Sequence, residues 1–415
     1  MNKIYKIVWS KAKHAYVVTS EVARSHTKSA SGKAVKAALA AAVGMGVLMG
    51  GYAADAADTA TGSGNGVAYG TGSSAPKAEN VAVGKDATIK YSNGASAATG
   101  DVAVGSDAVI DNYASQGGSI AIGKNAKIEN MTGKQESLFA LGQTTYHSGN
   151  FWGTLQIPDN PENVAGSIAI GDNTYARTGS IMIGSHNYRG DIGDQSVDTS
   201  KTKDYGVNIN ATTLGTNSFN QGAFSTVSGA YSIISGKYNG SGSSSYVGQN
   251  FGATITGSLN SIESATSSSV YSGVANSIVG TANRTANSNG SLIFGAGNEI
   301  TNSISSISAP STGGDSAQAL QKSLMTAVKN SNSGGATLAI GGGNTADWTQ
   351  LSQIIGVNNT LKGTSGAISK FNMIDGYKNT VTKAEHVSVI GSENTVENSK
   401  SQTVIGDSNK ITDRN

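Results

Sequence analysis

Short runs in which apolar and small residues alternate, each closed by a glycine, recur along most of the chain. Residues 119–123 (SIAIG) form the clearest copy. Other clear copies end at Gly84, Gly105, Gly142, Gly171 and Gly184, and fainter ones at Gly70, Gly215, Gly295, Gly341, Gly356, Gly376, Gly391 and Gly406. The spacing is 14 residues from Gly70 to Gly84 and 15 from Gly376 to Gly391. A period of 14–15 residues, lengthened in places by insertions, predicts a stacked solenoid.

Each repeat is long enough for two short strands and two turns. In an extended strand Ile120 and Ile122 point to one side and Ala121 to the other. The glycine that follows permits a tight turn, and polar residues lead to a second apolar pair, Ala126 and Ile128. This pattern predicts one coil of a narrow parallel β-roll, which needs neighbouring coils above and below it. The flat face formed by Ala, Thr and Gly is expected to let another copy of the chain approach closely.

The predicted coils span residues 65–295 and 336–415 and are interrupted by excursions at 143–166, 185–210 and 296–335. Binding tends to concentrate on loops carried by a rigid scaffold, which makes Tyr146, Phe151 and Trp152 candidate ligand-binding residues. The alternative is that Phe151 and Trp152 fold back onto the roll as a small satellite core.

The third excursion is expected to contain one short helix. Residues 316–329 place Leu320, Leu324, Ala327 and Val328 at helical spacing, with Asp315 or Ser316 available as a cap. The resulting helix would lie against the roll.

The first 56 residues are predicted to be a secretory signal. Residues 1–33 are basic, residues 34–52 are rich in Ala, Val, Gly, Met and Leu, and residues 54–56 (ADA) offer a cleavage site. A transmembrane anchor is the alternative, but Lys36 and several glycines interrupt the apolar run, which is short for a full span. Residues 57–64 are expected to form a linker.

The opening also resembles a known family. Residues 1–12 (MNKIYKIVWSKA) and 16–21 (YVVTSE) resemble the extended signal peptide region of large autotransporters of bacteria with two membranes. Together with the SIAIG repeats, which cover most of residues 65–410, they make the chain similar to the head of a trimeric autotransporter adhesin of the YadA-like family. The resemblance implies an all-β, left-handed parallel β-roll, a homotrimer on the bacterial surface, and binding to host matrix proteins, to cells or to other bacteria in biofilm.

Family members continue into a coiled-coil stalk and a β-barrel anchor in the outer membrane. The chain shows no sustained heptads and stops at Asn415, which predicts an N-terminal fragment or a truncated product whose stalk and anchor are absent. Two other functions stay open: a structural spacer or coat, and a β-solenoid enzyme that acts on glycans.

Composition and charge narrow these functions. The net charge is +2, but residues 1–56 carry eight Lys or Arg against Glu21 and Asp55, so the remainder carries −4 and has no basic stripe for nucleic acid. There is no cysteine, which excludes disulfides and thiol chemistry. With 55 glycines and 13% charged residues the composition would suit a disordered chain, were it not for the regular period.

The chemistry of catalysis or metal binding is not evident in the sequence, and no cofactor is expected. His147, His186 and His386 lie far apart, outside any metal-ligand spacing. The carboxylate pairs Asp172 with Asp191 and Glu385 with Glu393 are interpreted as solvated turn charges, so enzyme activity is not expected. The residues Asn344, Asn358, Asn379, Asn394 and Asn409 follow repeat glycines and are predicted to form a structural ladder at the turns.

Overall fold

The computed structural model describes residues 5–10, 15–20, 62–91, 99–112, 117–130, 166–177, 179–187, 210–235, 250–264, 272–307 and 317–415. The chain divides into two compact units, Met1–Ala57 and Asp58–Asn415. In the first unit, strand β1 (Tyr5–Ser10) pairs antiparallel with β2 (Ala15–Ser20). Among the described residues, the search for a helix both long and apolar enough to cross a membrane finds none.

The second unit is a solenoid built from parallel sheets, and a sixteen-stranded sheet runs through it. We call it the long sheet. Its strands are β3 (Val67–Tyr69), β4 (Val81–Val83), β6 (Val102–Val104), β8 (Ile120–Ile122), β10 (Ile168–Ile170), β12 (Ile181–Ser185), β13 (Thr212–Thr216), β15 (Thr226–Ser228), β17 (Thr254–Thr256), β19 (Ser277–Thr281), β21 (Leu292–Ala296), β23 (Leu338–Gly342), β26 (Gln353–Val357), β29 (Met373–Tyr377), β31 (Ser388–Ser392) and β33 (Thr403–Ile405).

Three further sheets complete the coils. A four-stranded sheet contains β5 (Thr88–Lys90), β7 (Val109–Asn112), β9 (Lys127–Asn130) and β11 (Tyr175–Arg177). A ten-stranded sheet contains β14 (Phe219–Asn220), β16 (Ile233–Ser235), β18 (Ser261–Glu263), β20 (Arg284–Ala286), β22 (Glu299–Thr301), β24 (Thr345–Asp347), β27 (Thr360–Lys362), β30 (Thr380–Thr382), β32 (Thr395–Glu397) and β34 (Lys410–Thr412). A two-stranded sheet pairs β25 (Thr349–Gln350) with β28 (Ser369–Lys370).

The parallel pairing keeps equivalent repeat positions in register, so Ala121 pairs with Ala103 below it and Ala169 above it. The all-β parallel solenoid predicted from the period is therefore confirmed. Strand β22 pairs in regular register with β20 and β24, although its residues lie inside the stretch 296–335 predicted as an excursion. The regular coil thus continues beyond Ala296. Left-handed coiling and the trimer stay predictions.

The interior of the coils is lined mainly by the second residue of each strand. The second residues Ala121 and Ile128 of one coil are both fully buried, as are Ile293 and Ile300 of a later one. The core changes along the axis from one rich in alanine to one rich in isoleucine and valine. The expectation that the small residues face outward and receive another copy is wrong, because the coil encloses the second side chain of each long-sheet strand, such as Ala121, and turns the first and third out.

The repeat glycines form a continuous ladder at the end of the long-sheet strands. Sixteen of them, from Gly70 to Gly406, have φ between 112° and 150°, a region that side chains rarely adopt. A Cβ at Gly376 would lie 1.8 Å from the carbonyl oxygen of Gly391 in the next coil. Glycine is required here by both backbone conformation and close stacking.

A second ladder is made of asparagines, all but the last of them buried, in the turns after the repeat glycines from Gly257 onward. Its rungs are Asn260, Asn283, Asn298, Asn344, Asn359, Asn379, Asn394 and Asn409, and each later Nδ2 donates to the Oδ1 of the rung before it. The structural role predicted for these residues is confirmed, but one position is corrected. Asn358 takes the left-handed turn conformation, with φ of 54°, and its neighbour Asn359 is the rung.

The predicted helix is confirmed as α1 (Ala317–Asn330). Ala327 is buried, and Leu324 lies beside Gly252, where an added Cβ would be 3.7 Å from Leu324 Cδ2. The helix therefore packs against the roll. Its expected caps, Asp315 and Ser316, lie outside the described residues.

Candidate interaction surface

The outward side of the long sheet is lined by apolar residues over most of its length. Because the second residue of each long-sheet strand points into the roll, the first and third residues point out of it. We call these outward positions the apolar face. Its first column consists of Val67, Val81, Val102, Ile120, Ile168, Ile181, Thr212, Thr226, Thr254, Ser277, Leu292, Leu338, Gln353, Met373, Ser388 and Thr403, and its second column of Tyr69, Val83, Val104, Ile122, Ile170, Ile183, Leu214, Ser228, Thr256, Val279, Phe294, Ile340, Ile355, Asp375, Ile390 and Ile405.

This face is open to solvent in the single chain. Tyr69 is 62% exposed, Phe294 56% and Ile405 72%. Of the sixteen large apolar side chains that are exposed among the described residues, twelve lie on strands of the long sheet. Sixteen strands stacked at the usual spacing give a face about 70 Å long. An apolar patch of this extent is larger than single soluble chains commonly expose and marks an interaction surface.

Polar residues interrupt the face in the middle of both columns and, in the first column, also at Thr212, Ser277, Gln353, Ser388 and Thr403. Around strands β15 and β17 the outward residues are Thr226, Ser228, Thr254 and Thr256. Near the C-terminal end the face carries one acidic side chain, Asp375, on strand β29. The face is therefore apolar in both columns over its first six strands and, beyond the band of hydroxyl groups, mainly in its second column.

The outward side of the ten-stranded sheet is polar by contrast. Arg284 Nε donates to Glu263 Oε1 at 2.7 Å, and its Nη1 donates to Glu299 Oε1 at 2.6 Å. These hydrogen bonds, with that to Glu263 the stronger, hold the pKa of Arg284 above its usual value. Thr345, Thr360, Thr380 and Thr395 stack in register on the same side. This surface therefore has the polar composition of an ordinary solvent-exposed surface.

A second charged ladder explains one of the carboxylates singled out in the sequence. Glu385 lies 3.4 Å from the Nζ atoms of both Lys370 and Lys400, and the bond with Lys370 lowers the pKa of the Glu385 carboxyl. Next to it Phe371 stacks on His386, with ring centroids 4.7 Å apart. Glu385 is thus held in ion pairs between coils, which agrees with a structural rather than a catalytic role.

A buried polar cluster lies on the four-stranded sheet. Tyr175 donates its hydroxyl hydrogen to Glu129, and Arg177 Nε donates to Tyr175 Oη at 2.8 Å. Burial raises the pKa of the Tyr175 phenol well above its usual value. Arg177 is fully buried. Tyr175 and Arg177 are closed to solvent, and Arg177 can neutralise the charge of Glu129, whose side chain is 17% exposed.

The structure describes only some of the residues predicted to bind a ligand or considered as paired carboxylates. Tyr146, Phe151 and Trp152 lie outside the described residues, as do His147 and Asp191. Asp172 Oδ2 is 3.2 Å from His186 Nε2, so this carboxylate contacts an imidazole of a neighbouring turn. Within the described part of the chain, the side chains of His, Asp and Glu form no group that could hold a metal ion.

Sequence reasoning missed the apolar face itself. The signal was present, since Ile120 and Ile122 flank the smaller Ala121 in the clearest repeat. A coil of 14–15 residues has room for one inward side chain per short strand. In the N-terminal coils that residue is alanine, and the isoleucines on either side of it lie outside.

Two comparisons with known proteins bear on the N-terminus. Residues 1–50 match the family described as the extended signal peptide of the type V secretion system. The chain is also 55% identical over 40 residues to the autotransporter adhesin NhhA of Neisseria meningitidis serogroup B (strain ATCC BAA-335 / MC58), a match that covers 10% of this chain and 7% of that protein. The chain thus spans a small fraction of this curated relative. No solved structure matches it.

These matches support the resemblance to a trimeric autotransporter adhesin, although the relative is matched only at the N-terminus. The extended signal peptide directs secretion to the cell surface or outer membrane. For the repeat region, the resemblance is supported by the parallel solenoid seen in the structure.

Proposed function

We propose that the chain is the head of a cell-surface adhesin in which three copies associate through the apolar face. The observation that carries this proposal is the exposed apolar face along the long sheet of a chain with a type V secretion signal. Burying apolar surface contributes about 25 cal/mol for each Å², so a face of this length supplies a large driving force for association. The resemblance to trimeric adhesins supports three copies.

Association through this face leaves the ten-stranded sheet and the excursions available to other molecules. We propose that they contact a host matrix protein, a host cell or another bacterium. Three chains per molecule and many molecules per cell multiply weak contacts into firm attachment. Within this proposal Tyr146, Phe151 and Trp152 in the first excursion remain the candidate ligand-binding residues.

The oligomer is tested by measuring the solution mass of the full chain with light scattering. We expect three chain masses for the unaltered chain and one chain mass for Phe294→Glu, because a glutamate there would be buried without a partner. The matched control is Thr360→Glu on the outward side of the ten-stranded sheet, which should keep three. A folded single chain in the unaltered protein would overturn the proposal.

The adhesive role is tested by solid-phase binding to matrix proteins and to whole cells. Replacing Phe151 and Trp152 together by alanine should reduce binding at unchanged mass and unchanged circular dichroism. Binding to none of these targets by the unaltered trimer would favour the structural spacer. Cleavage of a glycan would favour the enzyme, a role that the adhesin relative does not support.

A further inference from the structure

The apolar face has two outward positions on each of its sixteen strands. Only one of these positions holds a charged residue. Asp375 occupies that place, between Ile355 on the strand below and Ile390 on the strand above. Its side chain is exposed, and no ion pair or hydrogen bond among the described residues involves it. A carboxylate in the middle of an apolar surface has a large effect on what that surface accepts.

The cost of burying an unpaired carboxylate is several kcal/mol, so a second copy must bring a cation to Asp375 or leave it in water. Lys378 follows three residues later, in the turn where the chain leaves strand β29. Its Nζ is exposed and lies 5.0 Å from the centre of the Tyr377 ring, and hydrogen bonding to the Tyr377 side chain raises the pKa of Lys378. Lys370 and Lys400 both contact Glu385 and are therefore already paired.

The turn position of Lys378 carries a cation at this coil and not at the adjoining ones. The equivalent turn residues are Asn358 in the coil below and Glu393 in the coil above, since the backbone N–H groups of Lys378 and Glu393 bond to equivalent carbonyls of successive coils. Two parallel copies shifted by one coil would therefore place Asp375 level with an amide or with a second carboxylate. Only two copies in register place Asp375 of one copy level with Lys378 of the other.

An antiparallel arrangement is disfavoured for a similar reason. Strand β29 is the fourteenth strand of the long sheet, so full antiparallel overlap would bring it level with the third, β6. The turn residue equivalent to Lys378 after β6 is Asp107, which has a left-handed φ of 58° like the 52° of Lys378. Asp375 would then meet a carboxylate, and like charges at an interface oppose association.

We propose that Asp375 of one copy pairs with Lys378 of a neighbouring copy, and that this pair fixes the parallel, in-register arrangement of the copies. The proposal rests on the association through the apolar face proposed above. A single polar group inside an apolar interface commonly selects one arrangement among several that bury similar area. The many interchangeable Val and Ile residues of this face leave the register otherwise weakly determined.

The pairing is tested by charge reversal in the full chain, with the concentration at which half of the chains dissociate as the readout. Lys378→Asp should raise that concentration on the order of 100-fold, because two carboxylates would then face each other. The exchange of both charges, Asp375→Lys with Lys378→Asp, should restore it to within about 3-fold of the unaltered chain. Lys362→Asp, a reversal on the ten-stranded sheet, is the matched control and should have no effect.

Orientation is tested separately with cysteines, since the chain has none of its own. Tyr69→Cys and Ile405→Cys lie at opposite ends of the long sheet. Parallel copies should form disulfides only between equal positions, whereas disulfides between Cys at 69 and Cys at 405 would overturn the parallel arrangement. Failure of the double exchange to restore association, with the unaltered chain still oligomeric, would overturn the pair alone. A monomeric unaltered chain would instead refute the proposed function.

Discussion

Replacing Asn359 by alanine should destabilise the solenoid far more than its small size suggests. Its Nδ2 donates to Asn344 Oδ1 at 3.1 Å and to the Gly376 carbonyl at 2.8 Å, and its Oδ1 accepts from the backbone N–H and the Nδ2 of Asn379, each at 3.0 Å. These four hydrogen bonds are lost, together with a longer one from Nδ2 to the Ile355 carbonyl at 3.4 Å. At about 1 kcal/mol each, the free energy of unfolding should fall by about 4 kcal/mol.

The last rung of the same ladder provides the control. Asn409 is exposed, and its side chain makes one hydrogen bond, from Nδ2 to Asn394 Oδ1 at 2.9 Å. Asn409→Ala should therefore cost about 0.5 kcal/mol or less. Urea unfolding followed by circular dichroism gives the overall change, and hydrogen exchange at the Asn379 amide shows whether the damage is local, as expected where coils contact only their neighbours.

Comparing Asn359→Ala with Asn409→Ala shows how much the asparagine ladder contributes to the free energy of unfolding. A similar loss of stability in Asn359→Ala and Asn409→Ala would show that the ladder carries little energy of its own. The stability of the roll would then come from apolar packing and backbone pairing. A loss confined to Asn359→Ala would establish the buried amide ladder as a major support.

Two further results are expected. Gly376→Ala should unfold or open the adjoining coils, because the new Cβ would overlap the Gly391 carbonyl. The control is Gly366→Ala, whose Cβ meets no atom within 4 Å and which should leave the melting temperature nearly unchanged. Equal melting temperatures of the two variants would contradict the close stacking. Burial raises the pKa of Tyr91 to about 12 from 10, so the unfolded chain loses the phenolic proton first and the free energy of unfolding falls between about pH 10 and 12. Urea midpoints measured across this range should fall less for Tyr91→Phe, and an equal fall in both chains would contradict the assignment.

Much of the architecture follows from local pattern. The 14–15-residue period, the glycine at the end of each run and the spacing of Leu324 and Ala327 predicted the coils and the helix, because each depends on backbone conformation or on periodicity within a few residues. The secretion signal was equally legible, since it is carried by contiguous residues.

What the sequence left undecided is the direction in which each side chain points and what it meets there. Alternation at Ile120, Ala121 and Ile122 establishes that two sides differ, but only the closed coil decides that alanine is inside. The same holds for Asn358 and Asn359, which are indistinguishable as neighbours in a polar turn until the stacked coils bury one and expose the other. Period and turn chemistry are local and are determined by the sequence itself, whereas the apolar face and the buried ladders arise when distant repeats stack, and these the tertiary structure alone decided.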